Sequence, residues 1–97
     1  MKFVCYTDDL GNIIIELVGR KLQLTKWQFV LDTAKNVLSK LDCVKRVSFP
    51  GDRSIYLLLN QEPTVDQWEA ALGTWLNIIE VRGNQTEVHR RFGHIIR

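Results

Sequence analysis

Polar and apolar positions alternate in twos near the start of the chain and switch to a helical period in two later stretches. Lys2 to Thr7 (KFVCYT) is rich in aromatic and β-branched residues and predicts a strand. Asp8-Asp9-Leu10-Gly11-Asn12 supplies turn chemistry, because Gly and Asn tolerate positive φ and Asp bonds to its own backbone. Ile13 to Val18 (IIIELV) predicts a second strand, its triple isoleucine implying that both faces are at least partly covered. Gly19-Arg20 permits another reversal, and the alternation of Lys21 to Leu24 predicts a short third strand or edge.

A helix is expected from Thr25. Thr25 and Gln28 stand at capping-box spacing, and Leu24 and Phe29 at the positions of a hydrophobic staple. Trp27, Val30, Leu31, Ala34, Val37, Leu38 and Leu41 then share one face, with polar residues on the other. Val44 to Phe49 and Ser54 to Asn60 flank Pro50-Gly51-Asp52-Arg53, which predicts a hairpin. Thr64 and Gln67 form a second capping-box pair, ahead of a stripe of Trp68, Ala71, Leu72, Trp75, Leu76 and Ile79. Residues 84–97 fit either a third helix capped by Thr86, with Val88, Phe92 and Ile95 inward, or a hairpin of Ile78 to Arg82 and Thr86 to Phe92 turning at Gly83-Asn84. The helix is the preferred expectation. The order ββ(β)-α-ββ-α predicts an α+β fold, an antiparallel sheet of four to five strands with two or three helices packed on one face.

The 97 residues predict one domain over 1–97, and 45% hydrophobic content with a net charge of +2 excludes disorder. No apolar run approaches the ~18 residues of a membrane span. Two cysteines, Cys5 and Cys43, are too few for a disulfide scaffold, and no leader-like segment opens the sequence. Free thiols in a cytoplasmic protein are therefore expected, which leaves the sequon Asn84-Gln85-Thr86 without use.

Motif chemistry is absent: there is no phosphate-binding Gly loop, dinucleotide fingerprint or His-Glu-x-x-His. Cys5 or Cys43 with His89 or His94 is the strongest nucleophile–base combination, yet both thiols occupy positions typical of packed cysteines. His89 and His94, five apart, do not share a helix face, and the four Cys and His lack the close pairing of zinc ligands. Asp8 and Asp9, with Glu16, read as turn formers ahead of cation ligands. No catalytic residue, cofactor, metal or small-molecule substrate is expected, and no membrane contact.

Charge is uneven. Asp66, Glu69 and Glu80 give residues 63–81 a net −3, whereas Arg82, Arg90, Arg91 and Arg97 against Glu87 give residues 82–97 a net +3. Apolar residues also exceed what a small core hides, at Val65 and Ile78, at Ile95 and Ile96, and in the 13–15 and 57–59 runs. Ala70, Ala71 and Gly73 add a small-residue strip suited to close helix–helix packing or to an interface. The preferred expectation is a non-catalytic protein-binding module, an adaptor, subunit or inhibitor that meets another protein or a second copy. Its size matches accessory proteins of viruses and mobile elements that act on host complexes, an association by size alone. The alternative is nucleic-acid binding through Arg82, His89, Arg90, Arg91, His94 and Arg97 together with Lys45, Arg46 and Arg53 of the hairpin, with Tyr6 and Tyr56 available to stack on bases. A small enzyme is the outsider.

Overall fold

The structure, a computed structural model, describes residues 2–80 and 87–90. In chain order the elements are β1 (Lys2–Thr7), β2 (Ile13–Val18), α1 (Leu24–Leu38), β3 (Val44–Ser48), β4 (Ser54–Leu59), α2 (Val65–Glu80) and β5 (Glu87–Arg90). They build one five-stranded sheet in the order β3-β4-β2-β1-β5. The first four strands pair antiparallel and β5 joins β1 in parallel. The fold is therefore α+β with the expected order of strands and helices.

Strand alternation decides where the core lies. Phe3 and Cys5 of β1, Ile13, Ile15 and Leu17 of β2, and Ile55 and Leu57 of β4 are buried on one face. Against them pack Trp27, Val30, Leu31, Ala34 and Leu38 of α1 and Trp68, Leu72, Trp75 and Ile79 of α2. The Trp75 ring lies 5.2 Å from that of Phe3, tilted by 58°. Its indole N–H donates to the Val30 carbonyl at 3.3 Å and ties α2 to α1. Both helical stripes predicted from the 3/4 spacing are the buried stripes, with Val37, Leu41, Ala71 and Leu76 at their partly covered margins.

The departures are local. Residues Lys21 to Gln23 form no strand and Leu24 opens α1. The reason is topological: β2 is flanked by β1 and β4, so a strand leaving it has no free edge to join. The capping box at Thr25 does not form either. The helix starts one residue earlier, with Gln23 at the cap and its carbonyl accepting from Trp27 N–H at 2.9 Å, which leaves Thr25 inside the first turn. Gln28 turns to Asp32 instead, and Leu24 is 80% exposed, so no staple to Phe29 exists. At α2 the expected cap is present, Thr64 Oγ1 accepting the Gln67 N–H at 3.2 Å. The helix preferred for the C-terminal segment is replaced over 87–90 by β5, because the outer edge of β1 takes a partner there. The hairpin alternative is right that its second arm holds a strand, over 87–90, but wrong on the first arm, because Ile78 to Glu80 belong to α2 and β5 pairs with β1. The rest of 84–97 lies outside the described residues.

Two outcomes test this packing. Trp75→Ala should cost about 3–5 kcal/mol in urea unfolding, as expected for removal of a buried aromatic. Thr64→Ala should cost about 1 kcal/mol, whereas Thr25→Ala should be near neutral because only the first removes a capping bond.

Candidate interaction surface

One-sided helix packing leaves the second sheet face uncovered among the described residues. The ladder registers align Ser48, Tyr56, Ile14 and Tyr6 in one row across β3, β4, β2 and β1. The next row holds Ser54, Glu16 and Val4, and the opposite row begins with Arg46 beside Leu58. Val4, Tyr6, Ile14, Tyr56 and Leu58 are each half-buried and form a continuous band, with exposed Val18 at its margin. A patch of aligned aromatic and aliphatic groups differs from scattered surface apolars, which any soluble protein carries.

Polar groups rim the band and are fixed by it. The Tyr6 hydroxyl donates to the Glu16 carboxylate on the neighbouring strand. The Tyr56 hydroxyl donates to Asp8 Oδ2 at 2.7 Å, and Asp8 Oδ1 accepts the N–H groups of Leu10 and Asn12, both at 2.9 Å. Gly11, at φ 84°, gives the turn the left-handed residue it needs. Asn12, the one buried polar residue described, donates from Nδ2 to Asp8 at 3.3 Å and accepts the Leu59 N–H at 3.0 Å. The β1–β2 turn is thus bolted to β4, 48 residues away in sequence at Tyr56. The hydrogen bond from Tyr56, with those from the turn, holds the Asp8 carboxyl below the usual range, and the same bond raises the Tyr56 phenol.

Among the described residues, those singled out from sequence do not gather. Lys45 and Arg46 lie exposed on β3, and Lys45 falls at a register shift that bulges the strand. Arg53 is tied at the far end of the hairpin, where its Nη1 donates to the Gly19 carbonyl at 3.0 Å. His89 and Arg90 belong to β5, at the opposite edge of the sheet from β3. Arg82, Arg91, His94 and Arg97 lie outside the described residues. Cys5 sits in the core, in register with Arg90. Cys43 precedes β3 at the other edge, and burial pushes its thiol up, away from thiolate. The two thiols therefore share no site. Asp8 is committed to its turn and Glu16 to Tyr6. Among the described residues no three His, Cys, Asp or Glu side chains converge as metal ligands.

Small residues on α2 show a second surface. An added Cβ at Gly73 would meet nothing within 4 Å, so Gly73 itself makes no close backbone approach among the described residues. Ala70, Ala71, Gln67 and Thr74 instead line one wall of an open groove of about 370 Å³, with Val37 and Leu41 on the other wall. No described helix is long and apolar enough to cross a membrane. Comparison with family models, with curated proteins and with solved structures finds no match for this chain.

Tyr56→Phe tests the latch between turn and sheet. Asp8 has its folded pKa depressed, so its contribution is present above the unfolded value of about 3.9 and is lost as pH falls through the folded one. Tyr56, raised, contributes below its unfolded value of about 10 and loses that contribution as pH climbs past it. The variant should therefore melt below the wild type at pH 7, and the gap should narrow at both extremes of a pH series followed by circular dichroism.

Proposed function

We propose that this chain is a non-catalytic protein-binding module whose contact face is the uncovered face of its sheet. The observation that carries this reading is the in-register band of Val4, Tyr6, Ile14, Tyr56 and Leu58, half-exposed where the period-two pattern would otherwise place polar residues. Tyrosine suits such a face, since it offers apolar area with little entropy to lose and a polar tip for the rim. The buried thiols Cys5 and Cys43 favour a structural role for both and a reducing, cytoplasmic setting.

Nucleic-acid binding is less well supported by the same geometry. Lys45 and Arg46 stand four strands away from β5, about 19 Å at the usual strand spacing. Between those edges the face presents Asp8 and Glu16 beside its two tyrosines, and carboxylates repel a phosphate backbone.

Copurification with the tagged full chain tests the reading. Ile14→Arg, at the centre of the band, should abolish recovery of the partner, whereas Lys35→Glu on the exposed side of α1 should retain it, with both variants folded by circular dichroism. A partner kept by Ile14→Arg overturns the assignment of this face. Salt-sensitive retardation of DNA or RNA that is lost in Arg46→Ala overturns it in favour of nucleic acid.

A further inference from the structure

The partner that fits the uncovered sheet face best is a second copy of the same face, and we infer a two-fold homodimer built on it. This inference rests on the protein-binding reading above and names the occupant.

Charge position selects this partner. Along the row that begins with Arg46 and Leu58 on β3 and β4, the sheet continues into Asn12 and Asp8 of the β1–β2 turn. Cation and carboxylate thus stand at opposite ends of one row, three strands or about 14 Å apart. Arg46 has no ion-pair partner among the described residues. A two-fold axis parallel to the strands, midway between β4 and β2, keeps each row and exchanges its columns. It lays β3 over β1 of the second copy and β4 over β2. Arg46 then faces Asp8, Ser54 faces Glu16 with a hydroxyl to donate, and Tyr56 packs on Ile14. Each contact occurs twice, as an isologous interface requires.

Other arrangements lose this match. An in-plane axis perpendicular to the strands inverts the rows, which sets Asp8 against Val4 and leaves Arg46 beside Pro50 and no carboxylate. Edge-to-edge pairing through β3 is opposed by the bulge at Lys45 and by its neighbouring cations, which would meet their own copies. Four antiparallel strands of about six residues offer a face of roughly 400 Å² in projection, towards the small end of specific interfaces. The dimer is accordingly weak and reversible, with Kd on the order of 1–100 μM.

Sedimentation equilibrium of the full chain up to about 1 mM should show a monomer–dimer equilibrium in that range. Ile14→Arg should leave only monomer, and Arg46→Asp should weaken the dimer at least about tenfold. Carbodiimide coupling of an Arg46→Lys variant should join position 46 to Asp8 between chains, since the same groups within one chain are too far apart for a zero-length link. A chain that stays monomeric throughout overturns the dimer alone, because the binding face is decided separately by loss of a copurified partner in Ile14→Arg. A dimer that survives Ile14→Arg and gives no such cross-link places self-association elsewhere and also overturns it.

Discussion

Everything else in this molecule follows from the packing of two tryptophan-bearing helices on a single face of the sheet. Trp68 and Trp75 are fully buried, Trp75 against Phe3 of the central sheet and against the backbone of α1. Each buried tryptophan removes roughly 150–250 Å² from water, about 4–6 kcal/mol by area. A helix cap contributes about 1 kcal/mol. That ratio explains why α1 begins at Leu24 and forgoes the cap that Thr25 offers: the position of Trp27, Val30 and Leu31 over the sheet outweighs the terminus. It also fixes which face stays wet, since strands that bury Phe3, Ile15 and Leu57 must turn Val4, Ile14 and Leu58 the other way.

Local pattern made much of this legible. The two helical stripes, the β1–β2 turn and the β3–β4 hairpin all come from residues within one or two turns of each other, and all are where the spacing predicts them. What escaped is non-local. Lys21 to Leu24 alternates like a strand, but strand formation needs a free neighbour and β2 has none. Glu87 to Arg90 was equally compatible with a helix, and the decision lay with the vacant edge of β1, some 80 residues earlier. Of the candidate surface, the 13–15 and 57–59 runs announced apolar groups on both sheet faces. The row that joins Tyr6, Ile14 and Tyr56 is a matter of register between strands, invisible to single-strand reading. Asn12 was hidden differently, because a turn asparagine needs no further explanation until its amide is seen holding Leu59.

The cations have been put to uses that a charge count does not show. Lys45 and Arg46 occupy the edge strand β3, where charge and a bulge discourage pairing with another sheet. Arg53 and the Lys21–Asp52 ion pair at 3.0 Å bind the hairpin tip to the β2–α1 connection, the first through the Gly19 carbonyl. The Lys21–Asp52 pair is exposed and contributes little stability. With these positive groups at the β3 edge and at the hairpin tip, the centre of the uncovered face is left free for apolar contact.

At the other end of that face the same turn that closes β1–β2 also determines its charge. Asp8 accepts hydrogen bonds from two backbone amides, from Asn12 and from Tyr56, and each favours the ionised carboxylate. The Asp8 carboxylate at this corner of the face is therefore held ionised below the usual range, with no cation in contact among the described residues. The Asp8 carboxylate is constrained by the turn, by Asn12 and by β4, and a fixed charge loses little entropy on meeting a cation. The residue that fixes the β1–β2 turn thus also sets the charge of the rim, so the proposed recognition by an arginine placed like Arg46 falls on a side chain that the fold already holds.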